Sequence, residues 1–111
     1  MSRYLKVLKK IDKEMNAKGF TLFMVGDGED TINAEDHTKT KLYDWATQCD
    51  LGSMHYQDNL GFKISYYLVY GNAIHETIAD YGWNSDTSKV IADEVWNIVS
   101  SHFEKMHREY A

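Results

Sequence analysis

The chain has 111 residues, of which 43% are hydrophobic and 26% charged, with a net charge of −5, one cysteine and no proline. These figures fit one ordinary globular domain over residues 1–111 and exclude a disordered chain, a disulfide scaffold and any site built from several cysteines. A lone thiol and the lack of a long apolar run lead to the expectation of a reduced, cytoplasmic protein with no membrane contact.

Tyr4, Leu8, Ile11 and Met15 recur at helical spacing, widened by Leu5 and Val7, with Ser2 placed to cap and Gly19 to stop the segment. The chain therefore opens on an amphipathic helix, and Lys6, Lys9, Lys10 and Lys13 share its other face. Residues 20–25 are short, apolar and aromatic and end at Gly26-Asp27-Gly28, which reads as a buried strand leaving into a turn. Residues 27–36 hold five carboxylates and no base, so much of that segment faces water, with residues 31–34 adding a second short strand. Between residues 36 and 49, Leu42, Trp45, Ala46 and Cys49 return every three to four positions, predicting a second helix with Cys49 on its apolar face.

Residues 53–56, a turn at 58–61 and the run 62–70 predict a hairpin. Residues 76–81 alternate with period two and predict a further antiparallel strand. After Gly82-Trp83-Asn84, Ser85 or Asp86 caps a long helix whose apolar face includes Val90, Val95, Val99, Met106 and Tyr110, widened by Trp96 and Phe103. The expected class is α+β: an antiparallel sheet of three to five strands packed against helices, in the order α-β(β)-α-β-β-β-α.

No complete motif for metal, nucleotide or catalysis is present. His75-Glu76 resembles half of a zinc-protease helix, but position 79 is Ala where the second histidine belongs, and the expected strand makes the pair solvent-facing. His102 and His107 are five apart, so on a helix they diverge by about 140°; His37 and His55 read as surface or edge histidines. The acidic run lacks the glycine and the closing glutamate of a calcium loop, since Ile32 and Thr38 occupy those positions. Gly26-Asp27-Gly28 lacks the lysine of a phosphate loop. Cofactors and metals are therefore not expected.

Charge is unevenly spread: residues 1–18 carry six basic and two acidic groups, residues 19–61 two and eight, residues 62–111 four and seven. The acidic middle disfavours phosphate backbones and favours a basic protein surface. Asp27, Glu29, Asp30, Glu35 and Asp36 are the expected acidic contact surface, with Tyr66, Tyr70 and Trp83 as aromatic anchors, because Tyr and Trp are enriched at interfaces.

Leu68-Val69-Tyr70-Gly71-Asn72, followed by residues 76–81 (Glu-Thr-Ile-Ala-Asp-Tyr) and preceded by a Gly-Phe-Thr-Leu strand leading to Asp27-Gly28-Glu29, resembles a pattern in small uncharacterised proteins of tailed bacteriophages and prophages. The resemblance covers residues 19–84. It implies a phage or prophage origin, a compact α+β module in the host cytoplasm, and action by binding a host protein, as an inhibitor of host defence or of a nucleic-acid enzyme. No residue role is carried over by it.

The leading expectation is thus non-catalytic binding of a host protein with a basic surface. Two alternatives stay open: a small enzyme whose Glu, His and Asp side chains are gathered by folding, in a pocket holding His75 or Cys49, and nucleic-acid binding through the lysine face. An exposed edge strand would also serve a homodimer.

Overall fold

The apolar stripe of the first segment closes into a helix because Tyr4, Val7, Leu8, Ile11 and Met15 all find cover. This is α1, Ser2–Ala17. Gly19, at φ 87°, ends it in the left-handed region, while the Gly19 and Phe20 amides turn back to the Asn16 and Met15 carbonyls. The computed structural model describes residues 2–110 and the side chains of residues 3–107. The expected Ser2 cap and Tyr110 contact lie outside the described side chains.

The chain continues through β1 (Thr21–Gly26), β2 (Thr31–Asn33), α2 (Lys39–Ala46), β3 (Leu51–Gln57), β4 (Lys63–Val69), β5 (Ile78–Trp83) and α3 (Asp86–Tyr110), with single 3-10 turns at Ala34–Asp36 and Ile74–Glu76. The five strands form one sheet in the order β2-β1-β3-β4-β5, and every neighbouring pair is antiparallel. The α+β class and its antiparallel sheet agree with the sequence reading. All three helices pack on one face, over a core that joins Leu8 and Ile11 of α1, Leu42 and Ala46 of α2, and Val95 and Val99 of α3 to Leu22, Val25, Met54, Tyr56, Ile64, Tyr66 and Leu68 of the strands.

Three boundaries differ from expectation. Helix α2 starts after Thr38, whose Oγ accepts the Lys41 amide at 3.2 Å. It stops at Ala46, where Thr47 leaves helical dihedrals at φ −116°, ψ 7° and its hydroxyl donates to the Tyr43 carbonyl at 2.7 Å. Cys49 therefore lies beyond the helix and is exposed, not on an apolar face. Residues 74–76 form a 3-10 turn, with the strand beginning only at Ile78, so His75-Glu76 is not a strand pair. In α3, capped by Ser85 Oγ accepting the Ser88 amide, Val90 is 65% exposed. The expected Val95, Val99 and Phe103 are buried, and Ser88 and Ala92 take the place of Val90 in the buried stripe.

Among the described residues no helix is long and apolar enough to cross a membrane.

Candidate functional site

Alternation along the strands sends every second side chain away from the helices. On β3 these are Leu51, Ser53, His55 and Gln57, and on β4 Lys63, Ser65, Tyr67 and Val69; all are half-buried or exposed, whereas their neighbours on the strands are buried. A bulge between Leu22 and Met24 adds Phe23 to the same face, where its ring lies 6.3 Å from that of His55. At one end of this uncovered face is an open groove of about 380 Å³, walled by Leu51, Tyr67, Val69 and Ala79, floored by Gly26, Ser53 and His55, and bordered by Glu29 and Asp30.

A Cβ at Gly26 would stand 2.5 Å from Ser53 Oγ, so a larger residue there would have to turn the Ser53 hydroxyl away from His55. Leu51 and Tyr67 are 49% and 44% exposed and stand on the same groove.

His55 lies between two hydroxyls, Nδ1 at 2.7 Å from Ser65 Oγ and Nε2 at 2.9 Å from Ser53 Oγ. A neutral imidazole satisfies both, accepting from one serine and donating to the other. Burial holds its pKa below the usual 6.5. The unfolded chain therefore takes up this proton first as pH falls, and stability is lost from about pH 6.5 downwards. His55→Gln is expected to flatten that part of the profile, read from urea midpoints at about pH 7.5 and about pH 5. An unchanged slope would mean that another group governs the acid side.

The sequence-derived site does not gather. Asp27 is 7% exposed; its Oδ1 accepts the Asp30 and Glu29 amides at 2.8 and 3.0 Å, and Oδ2 accepts Gln48 Nε2 at 2.7 Å. Those bonds, led by the Asp30 and Glu29 amides, lower its pKa. It is the inner staple of its loop and offers no free charge to a partner. Glu29 and Asp30 are exposed at the groove, while Glu35 and Asp36 lie on the 3-10 turn, and Glu35 borders a separate depression beside His37 and Lys39.

The aromatic anchors need the same correction. Tyr66 is fully buried and donates its hydroxyl to the Ala92 carbonyl at 3.0 Å. Tyr70 is half-buried, packs against Tyr4 and donates to the Ala46 carbonyl. Both are spent on packing. Trp83 is 43% exposed, but it lies at the far end of β5 on the helix side, under Lys89. The apolar contacts that do face outward at the groove are Leu51 and Tyr67.

No protein-family model, curated protein or solved structure matches the chain. Function rests on geometry and on the sequence pattern.

The other candidates fall as follows. Exposed Cys49 has its thiol pKa raised, by desolvation first and then by Asp27, Glu29 and Asp50, which keeps it protonated and a poor nucleophile. Lys6, Lys9, Lys10 and Lys13 line a groove with His102, Phe103 and Met106, and Lys10 is paired with Glu14 at 3.1 Å. His75 shares another cavity with Glu76 and Glu104.

A buried carboxylate that composition did not reveal is Asp12, 7% exposed on α1. Its Oδ1 accepts the Tyr56 hydroxyl at 2.9 Å, and its Oδ2 accepts Lys39 Nζ at 2.7 Å and, more distantly, Asn16 and Tyr43. Burial first, and Asp12 second, push Tyr43 up to about 12. This network ties α1 to α2 and β3 and lies beneath the sheet, away from the groove.

Proposed function

We propose that the protein acts by binding another protein, taking a basic segment across the uncovered face of its sheet. The observation that carries this reading is the groove: apolar walls of Leu51 and Tyr67 with the Glu29 and Asp30 carboxylates at the border. An apolar side chain of the partner fills the trough and its neighbouring Lys or Arg meets the carboxylates, the apolar contact setting residence time and the charge setting approach.

Binding is favoured over catalysis because both nitrogens of the groove's imidazole are held by serine hydroxyls. Among the described residues no carboxylate bonds His55 as it would in a nucleophile-base-acid triad. Nucleic acid is disfavoured by the net charge of −5 and by the acidic groove border. The likeness of residues 68–81 to small phage and prophage proteins supports an accessory role in a host cytoplasm, where the basic segment belongs to a host defence or nucleic-acid enzyme that is thereby inhibited.

Selection of a random peptide library on the immobilised protein tests the reading. Enriched peptides are expected to pair one large apolar residue with Lys or Arg. Tyr67→Ala should weaken them at least about tenfold, equivalent to about 1.4 kcal/mol. Glu29→Gln with Asp30→Asn should weaken them and flatten the salt dependence, and Glu35→Gln with Asp36→Asn should do neither. Peptides indifferent to Tyr67 and Glu29 would refute the groove.

A further inference from the structure

The half-motif His75-Glu76 lacks its second histidine in sequence, and the fold supplies one. The His107 ring, on α3, lies with its centre 4.9 Å from that of His75, the planes inclined by 41°. His75 Nε2 faces the Glu76 carboxylate at 3.8 Å. Its Nδ1 is buried and has no hydrogen-bond partner, and a buried polar atom left in that state requires an explanation.

A proton on Nε2, directed at Glu76, leaves Nδ1 as a bare lone pair. A metal-ligating histidine has its other nitrogen held by a carboxylate, and Glu76 is the carboxylate placed to take that role once His75 is fixed by an ion. Two imidazoles that each bind one ion through nitrogen at ~2.0–2.1 Å have ring centres about 4.5 Å apart for a right angle and about 5.2 Å apart for a tetrahedral one. The observed separation falls between them. Glu104, one helical turn before His107, borders a cavity with His75 and Glu76, so α3 and the 3-10 turn both bring a carboxylate near a cation held by His75.

We propose that His75 and His107 bind one divalent transition-metal ion of the borderline class, such as Zn²⁺ or Cu²⁺, with His75 Nδ1 as a ligand and Glu76 orienting its ring. Among the described residues no three His, Cys, Asp or Glu side chains already converge as a metal site. The ion is accordingly held by two imidazoles with solvent completing its shell, at lower affinity than a four-ligand structural zinc. Imidazole ligation selects Cu²⁺ and Zn²⁺ over Mg²⁺ and Ca²⁺. Bound, the ion fastens the 3-10 turn at Ile74–Glu76 to the C-terminal part of α3, independently of the groove on the opposite face of the sheet.

Titration of the full chain with Cu²⁺, followed by electron paramagnetic resonance, is expected to saturate at one equivalent with coupling to two imidazole nitrogens. Zn²⁺ is expected to raise the melting temperature, since it binds the folded state. His107→Gln, at an exposed position, and His75→Gln should each abolish the two-nitrogen signal. Glu76→Gln should weaken binding about tenfold or more through loss of ring orientation. A variant with His37, His55 and His102 all changed to Gln should bind as the parent does. Should His75→Gln fail to fold, His107→Gln and the ¹⁵N shift of His75 Nδ1 on adding Zn²⁺ decide the matter. No saturable binding, or binding that survives His107→Gln or is lost in the triple variant, overturns the proposal.

Discussion

Asp12→Ala is expected to destabilise the fold by about 3 kcal/mol, because it strips a buried tyrosine hydroxyl of its charged acceptor. Tyr56 is fully buried, and its hydroxyl donates to Asp12 Oδ1 at 2.9 Å. Once the carboxylate is gone, that donor has no solvent to turn to. Lys39 adds little to the total: its side chain is 51% exposed, and a pair so open to water contributes at most about 1 kcal/mol. Lys39→Ala should therefore be mild where Asp12→Ala is severe. Asp12→Asn keeps an acceptor for Tyr56 but turns an amide toward Lys39 and Tyr43, and should fall between them.

The decisive control removes both ends of the bond. Asp12→Leu with Tyr56→Phe removes the Tyr56 donor together with its acceptor, leaving among the tyrosines only the longer Tyr43 bond broken, and should be more stable than Asp12→Ala alone, since losing a hydrogen bond whole costs less than leaving half of it buried. Chemical denaturation with unchanged slope gives the comparison. A loss under about 1 kcal/mol for Asp12→Ala would show that water replaces the carboxylate and that the network is not buried in solution.

Why Asp12 escaped the sequence reading is instructive. On a helix bearing Lys9, Lys10 and Lys13 a lone aspartate reads as surface charge, and only the approach of Tyr56 from β3 and Lys39 at the start of α2 makes it internal. Local periodicity carried the parts of the fold that local contacts determine: the α1 stripe through Leu8 and Ile11, the β3-β4 hairpin, and the cap at Ser85. It placed Val95, Val99 and Phe103 of α3 correctly and erred in the first turns, at Val90, where small residues face the core instead. Ser88 and Ala92 are fully buried, and the Ala92 carbonyl receives the Tyr66 hydroxyl, whereas the larger Val90 points outward. Apolar size is a weak guide where a helix must come close to a strand.

The groove was missed for a related reason. Ser53, His55 and Ser65 interrupt two apolar strands with period two, a signal that one face of β3 and β4 is not packed under a helix. Asp27 belongs to the acidic run in sequence, but its short side chain closes its own loop by accepting two amides. Composition marks the segment as acidic but does not distinguish carboxylates that face outward, Glu29 and Asp30, from Asp27, which turns in. Likewise His75 and His107 are far apart in sequence, and only the packing of α3 over the Ile74–Glu76 turn brings their rings together.

Gly52→Ala should cost about 3 kcal/mol, although one methyl group is all it adds. Gly52 is the second residue of β3, paired with Leu68, and faces the helices where α2 ends. A Cβ there would overlap the Ala46 carbonyl oxygen and stand 2.5 Å from the Tyr70 hydroxyl. These two atoms are already bonded to each other, so neither can retreat without breaking the contact that closes the end of α2. Backbone strain is not the cause, since the positive-φ glycines are Gly19, Gly28, Gly61 and Gly71, and alanine would even gain about 0.4–1 kcal/mol by restricting the unfolded chain.

The net loss is steric, and Tyr70→Phe provides the test of its source. Removing that hydroxyl costs about 1 kcal/mol as a lost hydrogen bond and clears one of the two collisions, but the Ala46 carbonyl remains in the way. The double variant should thus be less destabilised than the two single losses added together, yet still well below the parent. Full additivity would mean that the end of α2 shifts freely, and a Gly52→Ala midpoint within error of the parent would show that β3 and α2 do not meet as closely as the Tyr70 bond requires.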